Sequence, residues 1–380
     1  MIFVPTEELK SGMRLAKPIF NRQGVMLYER DTKLTSQGIH SVRNFGLIGV
    51  YILEPAEPLP PLSDEDREFE RFQTVSVFTL QEILQDIRDG AQPGKLEGLT
   101  ADIIRRFGRQ KDKFNFTQNL RSVEDNVYKH SLNVAILAAA IYGKLVHNTE
   151  MQRYCVIAGL LHDIGSLDIP APISRKKSEE LTDEDKAVID RCREEGYRTL
   201  RENCDLDSEV MKDISYLLRD LKELRNGTYK EPKTPDMQLE TLKLAYFFDT
   251  LTAMKYGEEP QSDIAAYKYL HHPRNHMNQQ AVRALTQAIH IVPMGCTVQF
   301  TDRSKGIVLT ENGDDILRPF VLSFHDNRVY NLADGKVYEK IQIADVLKTM
   351  DNRYIMTDRF AEYQEALKRG EVKAIHFPGT

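Results

Sequence analysis

Leu160-Leu161-His162-Asp163-Ile164-Gly165 closes an apolar stretch that begins at Met151 and sets an imidazole beside a carboxylate at a helix end. Adjacent nitrogen and oxygen donors of this kind suit a divalent metal. The segments around it share one period. In 127–146, Leu132, Ala135, Ile136, Ala139 and Ala140 recur close to every 3.6 residues, which predicts a helix. A further helix is expected over 151–164, ending at Gly165. Leu181-Thr182-Asp183-Glu184-Asp185 reads as a capped start with acidic residues in the first turn, leading into a helix through Leu200. Helices also fit 208–223, 238–254 and 279–289, so 75–292 reads as one all-helical block of six or more helices.

Outside that block the period changes. Residues 1–54 read as a small α+β module, with strand-like runs at Met13-Arg14-Leu15-Ala16, Gly24-Val25-Met26-Leu27 and Val50-Tyr51-Ile52-Leu53. Thr35 or Ser36 is positioned to cap a helix running to Phe45. Glu54-Pro55-Ala56-Glu57-Pro58-Leu59-Pro60-Pro61 reads as a stiff linker, with 64–72 as a charged helical lead-in, so 55–74 separates module from block. In 293–340, Ile307-Val308-Leu309, Phe320-Val321-Leu322 and Val329-Tyr330 alternate with polar residues and turn signals, as in antiparallel hairpins. Residues 341–380 form a tail with a terminal helix expected at 356–369.

Composition narrows the function classes. The chain has 380 residues, 41% of them hydrophobic and 28% charged, as expected of a globular protein of two or three domains. Its net charge of −6 and lack of a basic block argue against duplex nucleic acid as a partner. Cys155, Cys192, Cys204 and Cys296 are scattered without Cys-x-x-Cys spacing, against a disulfide framework or a structural zinc site. The start lacks the pattern of a signal peptide, and the longest apolar run, 132–146, is interrupted by Asn133 and Lys144 and too short to span a bilayer. A reduced, cytoplasmic protein is the expectation.

The order of motifs resembles the HD-GYP family, cyclic-di-GMP phosphodiesterases within the HD superfamily. His130-Ser131-Leu132-Asn133-Val134-Ala135 is similar to the family's first-histidine helix, and Leu160 to Gly165 to its namesake motif. Asp168-Ile169-Pro170, Leu181-Thr182 with Gly196-Tyr197, and Asp249-Thr250-Leu251-Thr252 follow in the family's order. The module ahead of the block, and Pro293-Met294-Gly295 with Arg318-Pro319 behind it, resemble segments that flank these domains. The implied fold is mainly α: an HD-superfamily helical bundle preceded by a small α+β module and followed by a β-rich segment.

The resemblance also implies a site of two or three bridged metal ions that polarise a phosphodiester. Here the expected ligands are largely replaced. The lysine after the His-Asp-Ile-Gly run is Ser166, and the Arg-His-Pro histidine falls in Arg191-Cys192-Arg193. A tandem histidine pair is answered by Asp220-Leu221-Lys222-Glu223, the Gly-Tyr-Pro loop by Asn226-Gly227-Thr228-Tyr229, and an aspartate three residues before Asp249 by Tyr246. His130, His162 and Asp163 remain as residual metal candidates, too few donors for a dinuclear centre.

Several plainer readings stand beside these. His162-Asp163 is either a structural pair at a buried helix end or, with His130, the seat of one divalent transition metal (iron, manganese or zinc). No cofactor is expected otherwise. His271, His272 and His276 read as loop residues, Arg105 and Arg109 as a solvated helix face, and Asp249 as helix packing chemistry. The leading expectation is a degenerate, non-hydrolysing regulatory or interaction protein of bacterial cyclic-di-GMP signalling. Its partners would be other signalling proteins, diguanylate cyclase domains among them, with a homodimer left open. The alternatives are a residual metal-dependent phosphodiesterase, and a non-hydrolysing cyclic-di-GMP effector that binds through Lys222 and Arg225.

Overall fold

Short apolar runs at the start of the chain form two antiparallel ladders around one helix. The computed structural model describes residues 2–21, 23–45, 47, 49–53, 64–118, 120–255, 260–326, 328–346 and 365–370. The proline-rich segment at 54–61 and most of the helix expected at 356–369 lie outside the described residues. The chain divides into two units: Met1–Arg71 with Ser262–Ala265 and Ile291–Thr380, and Phe72–Gln261 with Ala266–His290.

In the first unit β1 (Ile2–Pro5) pairs with β4 (Gly49–Ile52), and β2 (Ile19–Phe20) with β3 (Met26–Tyr28), both antiparallel. Between them α1 (Ser36–Asn44) starts at Thr35, whose hydroxyl oxygen accepts the Gly38 N–H at 3.1 Å. Leu15, Leu34, Val42 and Ile52 form the core of this module. The run Met13–Ala16 contributes only isolated bridges, Arg14 to Lys33 and Leu15 to Ile52. β1, unread in the sequence, is four residues whose partner lies at the far end of the module, so no local alternation announces it.

The helical elements follow. α2 (Asp64–Arg88) runs unbroken through the boundary expected at 74/75, burying Leu80, Ile83, Leu84 and Ile87 along one stripe. α3 (Leu96–Phe107) comes next, and β5 (Leu120–Arg121) pairs in parallel with β6 (Met254–Lys255). Then come α4 (Asn126–Leu145), α5 (Thr149–Leu161), the short α6 (Ala171–Ser174), α7 (Asp183–Asn203), α8 (Ser208–Asn226), α9 (Met237–Thr252), α10 (Asp263–His271) and α11 (Gln279–Ala288). α4 packs against α3, α5, α9 and α11, and Leu132 through Ala139 are buried all round, which makes it the bundle's central rod. α7 begins at a capping box in which Thr182 and Asp185 satisfy each other's backbone N–H groups. After the bundle, β7 (Thr297–Phe300), β8 (Lys305–Thr310), β9 (Phe320–Ser323), β10 (Val329–Asn331) and β11 (Ile343–Val346) form one antiparallel sheet, order β10-β9-β8-β7-β11. A single helical turn, α12 (Gly335–Tyr338), precedes β11. The molecule is mainly helical, with small strand-bearing segments at both ends, as the sequence implied.

One close approach positions the site. After α5 the chain enters a 3-10 turn (Ile164–Asp168) laid directly on α7. A Cβ on Gly165 would lie 2.2 Å from the Cys192 carbonyl oxygen, and one on Gly196 would lie 2.4 Å from Gly165 Cα and N. Backbone meets backbone there, with no room for a methyl group. Gly196→Ala should cost about 1–3 kcal/mol, read as a lower urea midpoint at unchanged m-value; an unmoved midpoint would contradict this packing.

Asp213 on α8 is fully buried. Its Oδ2 accepts a hydrogen bond from Gln238 Nε2 at 3.1 Å and its Oδ1 has no partner. Burial, with Asp236 adding repulsion, pushes this carboxyl up to about 7. The folded state therefore holds the proton more tightly than the unfolded one. The stability that Asp213 lends is complete below about pH 4 and lost as pH rises through 7. Asp213→Asn should raise the thermal midpoint at pH 8, equivalent to about 1–3 kcal/mol, and leave it nearly unchanged at pH 4.

Candidate functional site

Three helix segments of the bundle bring the histidines together. α4 carries His130 just inside its start, α5 delivers His162 at its C-cap, and α9 runs alongside with Tyr246 and Asp249 on the facing side. The His162 N–H still bonds the Ala158 carbonyl at 2.9 Å, so the helix holds the ring until the chain turns at Asp163. His130 and His162 lie 5.3 Å apart between ring centroids. Tyr246 stands edge-to-face against both, 4.8 Å from His130 and 5.8 Å from His162. All but Tyr246 in this group are almost wholly buried.

Two carboxylates flank the rings, and each is answered by a guanidinium. Asp249 Oδ2 accepts from His130 Nδ1–H at 2.6 Å, while Oδ1 accepts from Arg121 at 2.5 Å and from Gln118 and Asn133 at 2.9 Å each. Burial alone would raise Asp249; Arg121 and His130 outweigh it and hold the carboxyl well below its ordinary range. Asp163 Oδ1 accepts from the Ser166 hydroxyl at 2.5 Å and lies 3.3 Å from Arg193 Nε. Here too burial is overcome, chiefly by Arg193, and Asp163 stays ionised. Arg193 also donates to Tyr246 Oη at 3.2 Å, and although burial opposes its charge, Tyr246 and Asp163 raise it above the usual guanidinium range.

The protonation of His162 follows from the same geometry. Burial pushes it down to about 4, so the ring is neutral at pH 7. Its Nδ1–H donates to the Gly159 carbonyl at 2.9 Å, which leaves Nε2 as a lone pair, buried and without a hydrogen-bond partner. That lone pair is the one feature that suits a metal. The remaining donors do not: Asp163 is engaged by Arg193 and Ser166, and Tyr246 stands over both rings. Among the described residues, no group of three or more His, Cys, Asp or Glu side chains is arranged to hold an ion. A cation entering here would meet a guanidinium already placed against the carboxylate, so the residues do not fit a pair of divalent ions.

Of the residues singled out in the sequence, His130, His162 and Asp163 converge. Lys222 and Arg225 stand outside that cluster on α8: Lys222 lies 3.3 Å from Glu194 and 3.7 Å from Asp190, and Arg225, which lines a cavity with Arg193 and Tyr246, also pairs with Asp190. His271 stacks on Tyr267, His272 accepts the Arg274 N–H, and His276 pairs with Glu231 at 2.8 Å. Arg105 pairs with Asp102 one turn away on the solvated face of α3. The Cys192 thiol donates to the Asp168 carbonyl. Sequence reading missed two roles. Arg193 was seen only as part of a lost histidine motif, and Asp249, expected to serve packing, bonds His130 directly. Asn133, one turn after His130, was the available signal for a polar face on an otherwise apolar helix. Nothing near Arg121 in the sequence links it to Asp249.

Residues 127–254 match the HD domain family model. The chain is 26% identical over 251 residues to the cyclic di-GMP phosphodiesterase PA4108 of Pseudomonas aeruginosa, covering 65% of this chain and 57% of that protein. It is 25% identical over 223 residues to the cyclic di-GMP phosphodiesterase PdeB of Borreliella burgdorferi, covering 57% of this chain and 55% of that one. The chain thus spans little more than half the length of these curated relatives. A solved structure, the HDG"Y"P protein Bd1817 of Bdellovibrio bacteriovorus, aligns over 75% of this chain and 97% of its own with a TM-score of 0.46 and 13% identity.

Removing the guanidinium tests the electrostatics. Arg193→Gln leaves Asp163 charged and buried, at a cost of about 3–5 kcal/mol in chemical denaturation at pH 7. Because Asp163 is depressed in the folded state, its contribution is present above about pH 4 and lost as pH falls through the folded value. The loss in the variant should therefore shrink towards low pH, and an equal loss at all pH values would contradict the pairing.

Proposed function

We propose that this HD-GYP-like protein is a non-hydrolysing, cytoplasmic regulatory component of cyclic-di-GMP signalling that acts by docking to other signalling proteins. The observation that supports this most is the Arg193–Asp163 pair beneath Tyr246. A guanidinium fixed against Asp163, the carboxylate next to His162, takes the electrostatic place of a metal ion. Unlike an ion, it cannot polarise a phosphoryl oxygen by coordination or lower the pKa of a bound water. The similarity to two phosphodiesterases supports the signalling context, while the side chains at the site favour a binding role over turnover.

A second reading rests on one atom. The unpartnered Nε2 of His162 favours a single divalent ion shared with His130 and Asp163 after Arg193 has swung aside. Turnover in that case should vanish in a His162→Ala/Asp163→Ala double variant.

The two are separated by metal analysis of the purified full-length chain, together with an assay for linear dinucleotide after incubation with cyclic di-GMP and manganese or iron. The expected outcome is well under one ion per chain and no conversion. Two ions per chain with conversion to product would overturn the proposal.

A further inference from the structure

Residues of α7, α8, α9 and the segment 269–277 line a cavity of about 460 Å³, within the range of small-molecule sites. Its lining holds three guanidinium groups, from Arg193, Arg225 and Arg274, four aromatic rings, and no carboxylate. In a chain whose net charge is −6, a wall free of acidic groups is selective for an anion.

The three arginines are not equivalent. Arg193 is answered by Asp163. Arg225 pairs with Asp190 through Nη2, yet its Nε is buried without a hydrogen-bond partner. Arg274, exposed on the 3-10 turn Pro273–Asn275, has no ion pair among the described residues. An unanswered cation and an arginine with an unfilled donor, on the wall of one cavity, are groups suited to a phosphate.

The rings differ in the same way. Tyr246 is held by Arg193 and the histidines, and Tyr229 by the buried Lys243, whose ammonium donates to its hydroxyl at 2.7 Å and lies 4.6 Å from its ring centroid. Tyr269 is 40% exposed, and its carbonyl accepts from Asn275 Nδ2 at 2.7 Å, which fixes the turn that bears Arg274. Phe247 packs edge-to-face on Tyr246 at 5.5 Å, so Tyr269, the most exposed of the four, is the ring best placed to stack on a planar base.

We propose that this cavity binds a nucleoside monophosphate, with its phosphate at Arg274 and Arg225 and its base against Tyr269. The assignment rests on the non-hydrolysing reading, because Arg193 and Tyr246, which close the histidine cluster, also form part of the cavity wall. The volume accommodates one base, sugar and phosphate, and a cyclic dinucleotide carries twice that content.

The test is calorimetric titration of the metal-free full chain with GMP and AMP, and in parallel with inorganic phosphate, guanosine and cyclic di-GMP. The monophosphates should bind, with Arg274→Ala and Tyr269→Ala each weakening affinity about tenfold. Both residues are exposed, so circular dichroism should show both variants folded. Four results would each overturn the proposal: no monophosphate binding at millimolar concentration, phosphate alone binding as tightly, cyclic di-GMP binding more tightly, or affinities unmoved by both substitutions. Hydrolysis of cyclic di-GMP by metal-loaded protein would defeat the non-hydrolysing reading instead, and is measured separately.

Discussion

Asp249 is an ion sealed from water at the centre of the helical bundle, and a bare carboxylate there would be prohibitively costly. Two stretches of chain converge on α9, which carries the charge, to answer it: Arg121 and Gln118 from the segment before α4, and His130 and Asn133 from α4 itself. Its partners are themselves held, as when Gln73 of α2 donates to Asn133 Oδ1 at 2.9 Å, while the Nε of Arg121 is buried without a hydrogen-bond partner. A densely connected polar network of this kind rigidifies its surroundings. The orientation of His130, and through it the distance to His162 and Tyr246, is inherited from that network.

The second carboxylate, Asp163, repeats the arrangement closer to the surface with Arg193 as its cation. Two buried acids, each neutralised by an arginine, make the histidine cluster electrically complete within the protein. A site poised for metal would instead leave its carboxylates uncompensated until the ion arrives. The two imidazoles therefore sit beside charges that are already balanced, and Nε2 of His162 is a buried valence left over beside them.

Much of the fold was legible because it rests on local signals. The apolar period of α4, the Thr182–Asp185 capping box of α7 and the Thr35 cap of α1 are all written within a few residues. What the sequence concealed depends on distant pairs. β1 finds its partner only after the module has closed, and α2 runs through a composition change that resembled a boundary. At the site, His130, His162 and Asp163 were readable as motif residues, but Arg193 was not readable as a counter-charge. Its reach depends on how closely α7 approaches the turn after α5, a tertiary dimension with no local marker.

That dimension is set by Gly165 and Gly196, whose backbones touch where any side chain would intrude. A spacing this tight has no slack: displacing one main chain by a fraction of an ångström would move the guanidinium relative to its carboxylate by a similar amount. Packing and ionisation thus share one coordinate, and the charge state of an aspartate is metered by two missing methyl groups.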